Sequence, residues 1–218
     1  MKKIFLTLII LILGTWCFSA KIPYSIVKID NSGKYAELVV KYPVFKGNSD
    51  LINVTNTAIK ETLKNHIEQN KIFISEYGDK DGYINTAYPT IVRADEKIIS
   101  IVWHGDWNAG GVHNDIVYTL TSGYVNGKAK VLKIDDVYDK RKACNDIIYA
   151  YKQSKYPPQQ LVDGELTADT LFSQEEGLDI LNNFTISDKY ITFYRPEYCF
   201  GYGYEGADFV KIPYTYKK

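Results

Sequence analysis

The sequence predicts an α+β protein in which antiparallel sheets pack against two or three helices. Segments rich in β-branched and aromatic residues alternate with amphipathic segments of helical period. The 19 tyrosines indicate a sheet-rich body with amphipathic aromatic side chains at its surface. An Asn-Gly pair between two strand-like segments is a hairpin signal, and a hairpin joins antiparallel strands. Helices mixed with hairpins favour this class over a doubly wound parallel sheet.

Residues 1–20 have the features of a cleavable signal peptide. Lys2 and Lys3 precede an apolar run over residues 4–13, which is shorter than the roughly 20 apolar residues of a membrane span. Small residues favour cleavage after Ser19 or after Ala20. We therefore expect a periplasmic or secreted protein with no membrane span once the leader is removed.

Cys17 raises the alternative of a lipoprotein acylated at that cysteine. The lipoprotein pattern places leucine three residues before the cysteine and a small residue just before it, where this chain has Gly14 and Trp16. The pattern is therefore not met.

The charge balance argues against nucleic acid as a partner. Loss of Lys2 and Lys3 with the leader leaves 24 of the 26 basic residues, against 26 acidic residues. A nearly neutral chain without a basic cluster lacks the electrostatic footprint of a nucleic-acid-binding protein.

The first half of the mature chain reads as a strand, a helix and a strand pair. Residues 36–45 are predicted to form a strand, and Ser49 is predicted to cap an amphipathic helix that extends to about Asn70. Residues 76–96 are polar and aperiodic, and we expect them to join two subdomains. Strands follow over residues 97–103 and 116–124.

The second half begins with a return strand over residues 129–134, after the turn at Asn126-Gly127. A helix over residues 140–153 is capped by Asp139 and points Cys144 inward. Residues 184–194 read as a hairpin that turns at Asp188. The last strand, residues 208–216, contains Pro213 and should lie at a sheet edge.

Two cysteines follow the leader, Cys144 and Cys199. An even number of cysteines in an oxidising compartment favours a disulfide between them. The alternative is two separate buried thiols, because cysteine packs as a small apolar residue.

Three segments together resemble known bacterial envelope domains. Residues 42–45 (Tyr-Pro-Val-Phe), followed by a helix, resemble the module that precedes the catalytic domain of PdaC-type peptidoglycan deacetylases. Residues 110–113 (Gly-Gly-Val-His) and 191–214 resemble a turn and the closing strands in the ectodomain of RsiV-type anti-sigma factors. The resemblance divides the chain into an N-terminal subdomain, 21–95, and a C-terminal domain, 96–218.

The resemblance implies an extracytoplasmic, non-catalytic α+β domain pair. The RsiV-type ectodomain senses lysozyme by binding it, so a lysozyme-like protein or a peptidoglycan fragment is the implied partner. The glycine-rich crossover at residues 201–206 departs from the family pattern, which leaves an inherited ligand contact there in question.

Residues 103–115 contain the chain's most suggestive cluster of polar side chains. His104, Asp106, His113 and Asp115 offer ligands for a metal ion or an acid/base pair. Their spacing matches no zinc signature such as His-Glu-x-x-His. The alternative is a connection between paired strands, in which the asparagine and aspartate side chains bond the local backbone.

The second candidate surface is aromatic. Tyr202 and Tyr204 lie in the glycine-rich crossover, and tyrosines anchor interfaces at low entropic cost. With Trp107 and His113 they form our set of candidate ligand- or partner-binding residues.

The chain has no recognisable catalytic motif, such as the Gly-x-Ser-x-Gly of a nucleophile elbow. We therefore expect an exported, non-catalytic, cofactor-free binding module of the cell envelope. Two alternatives stay open: a small metal-dependent hydrolase that uses residues 104–115, and a structural envelope protein.

Overall fold

A computed structural model describes residues 21–32, 36–77, 83–109, 112–155, 157–173, 180–195 and 208–216. It confirms the α+β class. The first of two sheets has six strands that are neighbours in chain order. They are β1 (Tyr24–Asp30), β2 (Ala36–Phe45), β3 (Tyr83–Ala94), β4 (Ile98–Ala109), β5 (Val112–Val125) and β6 (Lys128–Val131).

Helix α1 (Asp50–Tyr77) connects β2 to β3 and packs on one face of this sheet. The predicted cap is present, because the Ser49 hydroxyl accepts a hydrogen bond from the Ile52 N–H at 3.3 Å. The helix continues beyond the predicted end at Asn70. Its apolar stripe and the inner sides of β2 and β4 form one core, with Leu51, Ile59, Leu63, Leu38, Val40, Ile99, Ile101 and Trp103 among its members.

One strand pair of the first sheet, β2 and β3, is parallel, and the other four pairs are antiparallel. A parallel pair needs a crossover connection, which α1 supplies. Strand β3 lies within the segment 76–96, for which the sequence predicts no regular element, and it pairs with β4. The six-stranded sheet thus runs across the boundary at residues 95 and 96. The division into two domains stays a prediction.

The predicted hairpin turn between β5 and β6 is confirmed. Asn126 and Gly127 both have positive φ, 50° and 76°. Two consecutive residues of positive φ match the right-handed twist of the flanking strands, and asparagine and glycine tolerate that region best.

The second sheet has three antiparallel strands, β7 (Phe184–Ile186), β8 (Tyr190–Arg195) and β9 (Asp208–Pro213). The predicted hairpin joins β7 to β8, and β9, with Pro213, lies at the sheet edge as expected.

The second sheet packs against the helical layer of the C-terminal half. That layer comprises α2 (Lys140–Lys152), α3 (Gln159–Val162) and α4 (Ala168–Phe172), after a 3-10 turn (Ile134–Asp136). Asp139 caps α2 as predicted, accepting from the Lys142 N–H at 2.6 Å. Phe184, Phe193 and Val210 belong to the same core cluster as the inner face of α2.

Two buried hydroxyls join the two sheets. The Ser100 hydroxyl accepts from the Ile186 N–H at 2.9 Å and lies 2.7 Å from the Thr121 hydroxyl. Thr121 in turn donates to the Phe184 carbonyl at 2.9 Å. Strand β7 is therefore tied to β4 and β5 through side chains of the sheet face opposite α1.

Cys144 is fully buried on α2, as the helical pattern predicts. Cys199 lies outside the described residues, so the disulfide stays a prediction. Within the described ranges, no helix combines the length and apolar character that a bilayer crossing requires.

Candidate functional site

Residues 104–109 belong to β4 and residues 112–115 belong to β5, which corrects the expected boundaries of these two strands. His104 and Asp106 lie on β4, His113 and Asp115 lie on β5, and Asp106 is the register partner of Asp115. The sequence does carry this signal. On β4 the polar side chains of residues 104, 106 and 108 alternate with the side chains of residues 103, 105, 107 and 109. This is the pattern of a strand with one solvent-exposed face.

Three of the four predicted ligand residues come together on the solvent-exposed face of β4 and β5. His113 Nε2 lies 3.2 Å from Asp106 Oδ1. One ligand atom each from Asp106, His113 and Asp115 lie within 4.8 Å of one another, and all three side chains are exposed. One imidazole and two carboxylates form a ligand set that zinc accepts, with coordination positions left for water or substrate.

The register explains why these side chains meet. Asp106 and Asp115 are directly opposite on neighbouring strands, and His113 is the diagonal neighbour on the same face. Like charges directly opposite one another destabilise a strand pair. A cation bound between the two carboxylates would remove that repulsion.

His104, the fourth predicted ligand, does not join this group. Its ring packs edge-on against the ring of Tyr194 on β8, with 6.0 Å between ring centroids. Partial burial lowers the pKa of His104. The side chain is therefore an aromatic contact between the two sheets and not part of the cluster.

His104 is one member of a line of four rings that crosses from the first sheet to the second, which we call the aromatic row: Tyr88, His104, Tyr194 and Phe209. Tyr88 and His104 are register partners on β3 and β4. Tyr194 and Phe209 are register partners on β8 and β9, with ring centroids 6.0 Å apart. The row has no signal in the sequence, because its members come from four strands.

The rings at the two ends of the aromatic row are exposed to solvent, and the Tyr194 ring between them is buried. Tyr88 and Phe209 are 41% and 53% exposed, whereas Tyr194 is 8% exposed. The amino group of Lys41 lies 5.0 Å from the Tyr88 ring centroid, and that of Lys211 lies 5.2 Å from the Phe209 ring centroid. The row thus ends in two accessible rings, each with a cation beside it, and the buried Tyr194 ring contacts the Phe209 end.

Trp107 and His113 were predicted together as binding residues, but the structure does not bring them together. His113 is the register partner of Asn108, and successive side chains of a strand point to opposite faces. Trp107 accordingly packs edge-on against Tyr83 on the α1 side, at 6.4 Å between centroids. Tyr202 and Tyr204 lie outside the described residues.

A polar network under the C-terminal half of α1 was also missed. His66 Nε2 lies 2.9 Å from Asn85 Oδ1, and Asn85 Nδ2 donates to Asn70 Oδ1 at 2.8 Å. The Tyr83 hydroxyl donates to the same Asn70 oxygen. Burial lowers the pKa of His66 and raises that of Tyr83. The network positions α1 over β3, and the helical spacing of residues 66 and 70 was its only sequence signal.

Comparison with known proteins gives a fold and no activity. No family model matches the chain, and no curated protein matches it. Among solved structures, the chain is similar to a DUF3298 family protein from Pseudomonas aeruginosa PAO1, with a TM-score of 0.57 at 11% identity. A member of the same family from Bacteroides fragilis NCTC 9343 gives a TM-score of 0.54 at 13% identity. Each comparison covers 90% of this chain and 92% of the other.

At these identities the similarity establishes the fold alone. The chain is therefore an α+β protein whose fold is similar to that of these two DUF3298 family structures. The PdaC-type and RsiV-type resemblance is a separate observation, drawn from short motifs.

Proposed function

We propose that this chain is a periplasmic or secreted binding module without catalysis, and that it recognises the glycan portion of peptidoglycan through the aromatic row. The observation that supports the proposal is the pair of exposed rings at the ends of the row: Phe209, which contacts the buried Tyr194 ring, and Tyr88, which lies beside His104 on the neighbouring strand. The signal-peptide features of residues 1–20 and the resemblance to envelope domains support the location.

The chemistry of the row suits a sugar chain. Aromatic rings offer an apolar face with a large contact area and little side-chain entropy to lose. The axial C–H groups of a sugar ring present a matching apolar face. Lys41 and Lys211, at the two ends, are placed for carboxylate groups of attached peptides or lactyl ethers.

The test is a calorimetric titration of the mature protein with purified muropeptides. Replacing Tyr88 and Phe209 together by alanine should weaken binding about tenfold or more, the loss expected for interface anchors. Tyr149 on α2 is 68% exposed and lies outside the row. Tyr149→Ala is therefore the matched control and should bind as the unaltered protein does.

A parallel titration with lysozyme separates the two implied partners. Binding of lysozyme without binding of muropeptides would contradict the glycan proposal and favour a protein partner. Failure to bind either one would contradict the binding module itself.

The assembled ligand set of Asp106, His113 and Asp115 supports a second candidate, a small metal-dependent hydrolase. A metal held by three protein ligands can activate a bound water as a nucleophile. Metal analysis of the purified mature protein tests it. This candidate requires stoichiometric zinc that is lost in His113→Ala and retained in His104→Ala, because His104 stands apart from the group. Protein that binds no zinc, even when zinc is supplied, would contradict it.

A further inference from the structure

A groove runs between α1 and the first two strands on the face of the sheet opposite the aromatic row. Its volume is about 310 Å³. Four residues with apolar surface form its floor, and four charged residues of α1 form its rim. The floor is Ile29, Tyr42, Leu63 and Ile67, and the rim is Lys60, Lys64, Glu68 and Lys71.

The rim is positively charged overall. Of the groove-lining residues that the structure describes, Glu68 is the only acidic one, and its carboxylate is 4.0 Å from the Lys64 amino group. Among the described residues, neither Lys60 nor Lys71 makes an ion pair. Their side chains are exposed at the surface of α1, so two ammonium groups border an apolar channel.

We propose that this groove binds a single-chain anionic amphiphile, with its alkyl chain along the floor and its carboxylate or sulfate head at Lys60 or at Lys71, which border the groove about three helical turns apart. An apolar floor favours a hydrocarbon chain, and the excess of positive charge at the rim favours an anion over a cation. The volume lies at the lower end of the roughly 300–1,000 Å³ typical of ligand sites. It therefore suits one chain better than a two-chain lipid.

The shape of the groove favours a monomeric ligand over a membrane surface. Leu63 is only 4% exposed, and Ile29, Tyr42 and Ile67 are half-buried. A bilayer surface contacts side chains that protrude, whereas these side chains are recessed behind the lysines of α1.

The first experiment is a calorimetric series with octanoate, decanoate and dodecanoate below their critical micelle concentrations. Affinity should rise by up to about fourfold for each added methylene, the value for complete burial of a CH₂ group. Dodecyltrimethylammonium has a chain of the same length and the opposite charge, and it should bind much more weakly.

The second experiment removes the charges. Lys60→Gln together with Lys71→Gln should lower dodecanoate affinity about three- to tenfold, and the difference should shrink at high salt. Lys128→Gln with Lys152→Gln is the matched control, since both lysines are exposed and lie outside the groove. Circular dichroism verifies that all four substitutions leave the fold intact.

Three results would overturn the proposal: equal binding of the cationic and anionic amphiphiles, no dependence on chain length, or no effect of the Lys60 and Lys71 substitutions. Binding to phosphatidylglycerol vesicles without binding to dodecanoate would also overturn it, in favour of a membrane surface. The variant with Tyr88 and Phe209 replaced should still bind dodecanoate, so a failure of the glycan proposal would not affect this one.

Discussion

The hydroxyl of Tyr216 bonds the backbone of Tyr124 on both sides. It accepts a hydrogen bond from the Tyr124 N–H at 2.9 Å and donates one to the Tyr124 carbonyl at 2.7 Å. The side chain occupies the space beside Gly123, where an added Cβ would lie 2.7 Å from the Tyr216 hydroxyl oxygen. The segment after β9 is thereby fastened to β5 in the first sheet.

Replacing Tyr216 by phenylalanine should lower the free energy of unfolding by about 1–3 kcal/mol. The substitution removes two hydrogen bonds, each worth about 0.5–1.5 kcal/mol, and retains the ring. Urea denaturation measures the loss. Tyr149→Phe, at a largely exposed tyrosine, is the control. Equal stability of the two variants would show that the Tyr216 hydroxyl does not anchor the chain end.

Replacing Ser100 by alanine should cost about 1–3 kcal/mol, because it removes the acceptor of the Ile186 N–H from a buried position. Ser122 provides a close control on β5. Its hydroxyl is also buried but has no hydrogen-bond partner within the described part of the chain, so Ser122→Ala should be neutral or stabilising. Chemical denaturation of both variants gives the comparison. A loss no larger in Ser100→Ala than in Ser122→Ala would argue against hydroxyls as the link between the sheets.

Alanine at Gly105 should be among the most destabilising single substitutions in β4. A Cβ there would collide with the backbone carbonyl of Thr86 on β3, which no side-chain movement relieves. We expect a cost at or above the upper end of the roughly 1–3 kcal/mol usual for overpacking. Thermal unfolding measures it. A melting temperature within a degree or two of the unaltered protein would contradict the close approach of β3 and β4.

His66 should make stability depend on pH near neutrality. Burial lowers its pKa in the folded protein below the usual value of about 6.5. The unfolded chain therefore binds more protons, so this contribution is complete above about pH 6.5 and is lost as the pH falls through the folded-state value.

His66→Gln removes that titration while leaving an amide that can donate toward Asn85. Urea denaturation between pH 8 and pH 5 should give a shallower fall in stability for the variant than for the unaltered protein. Parallel curves across that range would contradict a neutral, buried His66.

The local elements were largely predictable because their signals lie within a few residues. Ser49 and Asp139 cap the helices at which they were predicted, and Asn126 and Gly127 make the predicted turn. Each depends on a bond or dihedral angle that the residue itself supplies. Strand β3 was missed because its polar, proline-containing sequence owes its extended form to its two neighbouring strands.

The candidate sites differ in the same way, according to whether their residues are close in the sequence. The grouping of Asp106, His113 and Asp115 was accessible from the sequence, because one hairpin brings them together. The aromatic row was not, because its members lie on four strands of two separate sheets, which are joined at the contact between His104 and Tyr194.

The sequence by itself determined the α+β class, the helix caps, the hairpin turns and the edge position of β9, since each follows from local propensity and hydrophobic period. Only the tertiary structure decided the parallel pairing of β2 with β3, the separation of His104 from its expected partners, and the groove beneath α1. These features depend on which distant faces bury one another, and that choice is made by the packing of the whole chain.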